Sequence, residues 1–322
     1  MNPQLVLLEN ALQVLLTGIV VGGVYGLMCV GLGLIFSMMR VINFAQGEFL
    51  MLGMYVALFI FKLIGNAFGS TLGPYASPVI SALIAGAVVY IFAIILHPLI
   101  LGRVTGTRVA GSDGDGHYPQ LTITLGLSLV LSNGALILFG SEPRTIQTSL
   151  SSTAWEIGPL IGPDVSIFLN KARTVSFVVV LCVVAAVALL ITRTRVGKTL
   201  RAAADNAEAA IYMGIDVGRS HRFAFGLGAA ITAIAGGLLA SSYPFQPYVG
   251  VEFVVIMFAG VVLGGIGSIT GAFWGGMTIG LVQQLSTLVL PVQLQNAAIF
   301  VVFLLIIIMR PQGLFGRTVD RA

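Results

Sequence analysis

Apolar runs long enough to cross a bilayer follow one another with few breaks from residue 12 to residue 309. A helix needs roughly 20 mostly apolar residues to cross about 30 Å of hydrocarbon. Within that layer only helices and closed barrels satisfy their own backbone groups. The runs lie at about 12–37, 49–67, 79–101, 119–140, 174–192, 223–242, 251–266, 270–289 and 297–309. They predict an all-α integral membrane protein, a polytopic helical bundle of about nine transmembrane segments, with eight or ten also possible. Residues 1–322 read as one membrane domain.

Charge supports this reading. Only 9% of the residues are charged, against about 25% in a soluble domain, and the mean hydropathy is +1.02. The net charge of +4 is small, and its distribution fits the positive-inside rule better than nucleic-acid binding. With 193–222 placed inside and the spans alternating, twelve basic residues fall inside; Lys62, Arg144, Lys171 and Arg173 fall outside. The expected topology has a periplasmic N-terminus and a cytoplasmic C-terminus in a bacterial inner membrane. Residues 1–11 hold Glu9 and no basic residue, unlike a secretory signal, so the first run reads as a retained helix. Cys29 and Cys182 fall in apolar runs and are expected to be buried thiols.

The segment 193–222 is the polar exception in the second half of the chain. It carries Arg193, Arg195, Lys198, Arg201, Arg219, Arg222 and His221. Asp205 is expected to cap a short helix, with Glu208 completing a capping box. Ala207, Ala209 and Ala210 favour helix, and Gly214 is placed to end it in a left-handed turn. Two turns are too few to be stable alone in water. The last turn shows Ile211, Tyr212 and Met213. Either the helix docks into a groove on a soluble partner, or it lies on its own protein or on lipid.

Two acids sit at span edges, Glu48 and Glu252. Glu48 either complements the dipole at a helix start or forms, with Asn43 and Gln46, a polar gate on the inner side. Glu252 reads as a helix-start acid. Gly18, Gly22 and Gly26 repeat at four, as do Gly267, Gly271 and Gly275, which suits close helix packing. A broken or re-entrant helix near 251–289 is the alternative.

No engine is visible. GKT at 197–199 lacks the first glycine of a phosphate loop, the position being Thr192. GSDGDG at 111–116 lacks the spacing of a calcium loop. His97, His117 and His221 have no metal spacing, no Ser/His/Asp set is present, and the spans are nearly bare of ionisable groups. No cofactor, metal or catalytic residue is expected, and the energy source should lie on another subunit.

Glu208-Ala209-Ala210, three residues, then Gly214 resembles the EAA-x3-G loop of ABC importer permeases. The segment around it and three further stretches resemble the branched-chain amino acid permease family, its LivH-type subunit. They are LRAAADNAEAAIYMGID running into FAFGLGAAITAIAGGLLA, MRVINFAQGEFLMLGMY at 39–55, GVVLGGIGSITGAFWGG at 260–276 and RPQGLFG at 310–316. The likeness covers nearly the whole chain. Members often carry His at the position of Gln46, a departure that bears on transport detail and not on class. The resemblance implies a transport subunit that is not itself an enzyme. Its expected partners are two cytoplasmic ABC ATPases, a second, paralogous permease and a periplasmic solute-binding protein. Leu, Ile, Val or a related solute is the expected cargo. Urea and short-chain amides are the substrate alternative, and a stand-alone facilitator or channel is the rival class.

Overall fold

The computed structural model describes residues 3–68, 73–100, 102, 117–158, 166–310 and 312–315. The GSDGDG segment and Arg103, Arg108, Arg317 and Arg321 lie outside these residues. The chain is an all-α membrane bundle. Six helices are long and apolar enough to span: α1 (Pro3–Met39), α2 (Gln46–Phe68), α3 (Gly73–Ile100), α4 (His117–Phe139), α5 (Lys171–Arg193) and α8 (Val217–Leu239). Between α5 and α8 lie two polar-segment helices, α6 (Arg195–Asp205) and α7 (Ala207–Tyr212). Three shorter helices follow, α9 (Val249–Gly264), α10 (Ile269–Ser286) and α11 (Gln295–Met309). Their 15 to 18 residues reach only about 22–27 Å at 1.5 Å per residue.

The centre of the bundle is α1 packed on α8 and α10, with α2 and α3 on the other side of α8 and α9 against α10. The glycines explain how close this packing is. Gly22 of α1 meets Met277 and Gly280 of α10, and Gly26 meets Phe273 and Gly276. The second glycine stripe is only partly a packing face. Gly271 and Gly275 press on the backbone of Gly264 and Gly260 in α9. Gly267 does not: it has φ +92° and open space around its α-carbon. It serves the turn that reverses the chain between α9 and α10.

Around this centre, α3, α4, α5 and α11 carry large exposed apolar side chains such as Ile91, Val130, Leu189 and Ile308, which suit a lipid face. Cys29 is buried, but Cys182 is exposed on α5, contrary to expectation. Five residues separate Cys182 from the buried Val187 and two from the buried Val180, so the thiol falls on the outer face of its helix.

The segment 141–172 is an ordered cap where described. It holds an antiparallel hairpin, β1 (Ala154–Ile157) and β2 (Ile167–Asn170). Arg144 and Phe245 exchange both backbone hydrogen bonds at 2.9 Å, and the Ile146 N–H donates to Ala240 O at 2.9 Å. At the chain's other end, Leu314 and Phe315 N–H donate to the carbonyls of Leu263 and Gly264 at 2.8 and 3.2 Å. These are carbonyls that the end of α9 would otherwise leave unpaired. Two of the sequence blocks, 260–276 and 310–316, thus meet at one joint.

Candidate functional site

The residues Asn43, Gln46 and Glu48, grouped in sequence as a candidate polar gate, lie together inside the bundle. α1 ends at Arg40, an exposed residue with φ +53°. From there the chain folds back inward. Asn43 and Gln46 are fully buried and Glu48 is 1% exposed. Gln46, the first residue of α2, lies beside Gly228 and Thr232, near the middle of α8. Gly31 of α1 meets the same two residues. α2 therefore starts about eight residues short of the end of α1, roughly 12 Å inside it at 1.5 Å per residue. Residues 41–45 are thus non-helical backbone inside the bundle, which is tolerated at membrane depth only where protein covers it.

Its polar groups are bonded in a chain. The Asn43 side-chain amide donates to Gln46 Oε1 at 3.0 Å, and Asn43 Oδ1 accepts from the Ala45 N–H at 3.1 Å. Gln46 Nε2 donates to Gly228 O at 3.1 Å and to the Thr232 hydroxyl. Glu48 takes a hydrogen bond from the Ser128 hydroxyl of α4 at 3.0 Å on Oε1. Its Oε2 is buried without a partner among the described residues. That oxygen lies against Gly250, in the first turn of α9, where an added Cβ would sit 2.8 Å from it. Gly47 meets Gly250 backbone to backbone. Two helix N-termini thus converge on one carboxyl group, and both dipoles favour negative charge there. Only glycine permits this contact.

Ser128, Thr232, Gly228 and Gly250 escaped the sequence reading. Ser128 and Thr232 gave a faint signal, being hydroxyls inside apolar spans. The glycines gave none, since their role depends on which helices cross.

Two cavities lie on the neighbouring stretch around Ile42. One, of about 310 Å³, is wholly apolar and is lined by Phe44, Ile42, Phe258 and Val261 among others. The second, of about 510 Å³, shares Phe36, Ile42 and Ile266 with it and opens at Arg40 and Asp205. Glu252 belongs to a different group. It is exposed at the start of α9, with the Tyr243 hydroxyl 3.3 Å from both its oxygens. Partial burial, reinforced by the Glu252 charge and hydrogen bond, pushes the Tyr243 phenol up to about 12.

The second predicted site is the short helix α7. Its cap is not the one expected. Asn206 is the N-cap, its Oδ1 accepting from the Ala209 N–H at 2.9 Å. Asp205 instead ends α6. With the cap one residue later, Glu208 falls at the second helical position, where its charge still suits the dipole but no capping box closes. Gly214 ends the helix at φ +77°, as anticipated. Ala210 is buried against Ala203 and Val217, with Ala207 and Ile215 packed beside them, so α7 rests on its own protein through one face. The other face is bare: Ile211 is 46%, Tyr212 88% and Met213 81% exposed. GKT at 197–199 lies inside α6, with Gly197 pressed on the carbonyls of Leu190 and Ile191. Among the described residues no group of His, Cys, Asp and Glu is arranged to hold a metal.

A family model described as branched-chain amino acid transport system / permease component matches residues 14–309. The chain belongs to that family. This permease is 29% identical over 310 residues to the high-affinity branched-chain amino acid transport system permease protein LivH of Escherichia coli K12, covering 95% of this chain and 96% of that protein. A probable LivH of Methanocaldococcus jannaschii is 31% identical over 262 residues, 81% of this chain and 76% of that protein. More distantly, the autoinducer 2 import system permease protein LsrC of Enterobacter sp. 638 is 31% identical over 219 residues, 64% of this chain and 59% of its own length. No solved structure matches the permease. Family membership makes it a multi-pass transport component, a part of a larger system.

Proposed function

We propose that the chain is the permease subunit of an ABC importer that carries branched-chain amino acids across the bacterial inner membrane. The observation that carries this reading is α7. It is a well-capped helix at the end of the bundle bearing Arg193, Arg195 and Lys198, with Tyr212 and Met213 almost fully exposed. Apolar side chains so displayed on a two-turn helix fit a groove on a partner, and a chain without an ATP motif needs one. In this reading two cytoplasmic ATPases grip residues 207–214, including Glu208, Ala209, Ala210, Ile211, Tyr212 and Gly214, and ATP-driven closure rocks the bundle between its two access states. A second, paralogous permease and a periplasmic binding protein complete the system.

Asn43, Gln46 and Glu48 serve as the gate at mid-depth. The apolar cavity beside Phe44 suits an aliphatic side chain. Leucine therefore stands ahead of urea, short amides or a sugar-like signal. The test is reconstitution with the ATPases, the paralogous permease and the binding protein. Leucine loaded on the binding protein should stimulate ATP hydrolysis and accumulate in the vesicles, and Tyr212→Ser should lower both. Accumulation against a gradient by this chain alone would refute the reading, and stimulation by autoinducer 2 or urea but not leucine would refute the substrate.

A further inference from the structure

The cavity of about 510 Å³ at the α6 end of the bundle carries two opposite charges in its wall, Arg40 from the end of α1 and Asp205 from the end of α6. They do not neutralise each other. Among the described residues the only ion pair in range is Arg219 with Asp216. Arg201 stands one turn before Asp205 on α6, where a pair would be expected, but its guanidinium donates to the Thr192 carbonyl at 3.4 Å instead. Neither the Arg40 nor the Asp205 side chain has a hydrogen-bond partner among the described residues. Arg40 also holds an unusual backbone. Its φ of +53° falls in the left-handed region that glycine occupies freely. An arginine kept there carries a cost that a working side chain would offset.

The wall between the charges points to the rest of the ligand. Phe36, Ile42 and Ile266 line this cavity, and the same three residues line the wholly apolar cavity of about 310 Å³ that reaches Phe44 and Leu121. A guanidinium fork matches a carboxylate, an aspartate accepts from an ammonium, and an adjoining apolar slot takes an aliphatic side chain. Together these features recognise a zwitterionic amino acid with a branched side chain.

We propose that this cavity binds the free amino acid on the α6 side, with its carboxylate on Arg40, its ammonium on Asp205 and its side chain in the apolar cavity. The inference rests on the amino-acid cargo of the proposed function and adds a second place where that cargo is held. Asp205 immediately precedes Asn206, the cap of α7. An amino acid bridging Arg40 and Asp205 therefore ties the end of α1 to the root of the lever. Cargo that builds up on that side restrains α7 and slows further import.

Purified protein in nanodiscs, without ATPases or binding protein, is titrated with radiolabelled leucine. Binding should saturate. Valine and isoleucine should displace it, but not isocaproate, which lacks the ammonium, or isoamylamine, which lacks the carboxylate. Arg40→Gly and Asp205→Asn should each weaken leucine about tenfold, the loss of one hydrogen bond to a charged group. Arg40→Gly, relieved of its backbone cost, should last at least as long in detergent as wild type, which separates lost binding from lost structure. Arg193→Gln, on the exposed end of α5, should bind as wild type does. The absence of saturable binding would overturn the proposal, as would leucine binding that both variants keep, or displacement by isoamylamine or isocaproate as strong as by valine. Accumulation of leucine delivered by the binding protein into the reconstituted vesicles separates such a failure from failure of the cargo reading. In those vesicles leucine added on the ATPase side should slow ATP hydrolysis, and equal slowing in Arg40→Gly would overturn the restraint on α7.

Discussion

Replacing Gln46 by Leu tests whether the polar chain at the start of α2 holds the inward turn. The substitution keeps the volume close and removes three hydrogen bonds. They do not count equally. The Thr232 hydroxyl still donates to Gly228 O at 3.1 Å, so neither of those groups is stranded. The Asn43 amide loses its acceptor in a site with no solvent access. One stranded buried donor costs about 1–3 kcal/mol. Asn43→Ala should cost more, since it strands both Gln46 Oε1 and the Ala45 N–H. The double variant strands only the Ala45 N–H. The double variant strands two groups fewer than the two single variants together, so the losses should fall short of additivity by about 2–6 kcal/mol. Membrane proteins of this size unfold irreversibly, so the quantity to measure is the half-life of monodisperse protein in detergent at fixed temperature. Gln46→Leu should shorten it by about 5- to 100-fold, and adding Asn43→Ala should cost less than Asn43→Ala does alone in wild type. Strict additivity, or a wild-type half-life for Gln46→Leu, would refute the bonded chain.

Glu48→Ala should reduce leucine uptake while leaving membrane insertion intact; equal uptake per inserted molecule removes the gate. Asn206→Ala should destabilise α7 by about 1 kcal/mol, read as faster amide exchange at 207–212, whereas Asp205→Ala should leave that exchange unchanged. Gly214→Val, at φ +77°, and Glu208→Arg should each uncouple ATP hydrolysis from transport in the reconstituted system; wild-type coupling in both would count against α7 as the lever. The Tyr243 phenol is raised from its ordinary 10.0 to about 12. Its contribution is thus complete below pH 10 and is lost as pH rises through about 12. The half-life in detergent should fall more steeply across that window in wild type than in Tyr243→Phe.

The all-α membrane class was legible because hydropathy is written in sequence, whereas three of the nine expected spans are helices of only 15 to 18 residues. The end of α7 was legible too, since Gly214 at +77° answers a local backbone demand. Two local errors have local causes. Asp205 and Asn206 are both good caps, and α6, a helix the sequence reading did not foresee, runs through Asp205, which hands the role to Asn206. α8 begins at Val217, six residues before the apolar run, because Asp216 caps it. The site was only half legible. Asn43, Gln46 and Glu48 stood out as polar residues beside spans, but their depth depends on a turn at Arg40 that doubles back, and a hydropathy profile contains no depth. The partners Ser128, Thr232 and Gly250 come from α4, α8 and α9, and only the packing of those helices brings them within reach.

The backbone contacts among α1, α9 and α10 have a mechanical consequence. Where Gly22 rests on Gly280, and Gly264 on Gly271, no side chain lies between the helices to act as a lubricating layer. Sliding one helix by even a fraction of a turn would drive a neighbouring side chain into a main chain. These three rods should therefore travel as one plank, and whatever opens and shuts the route must bend at its margins, where α11 touches the plank lightly and α4 packs on α2.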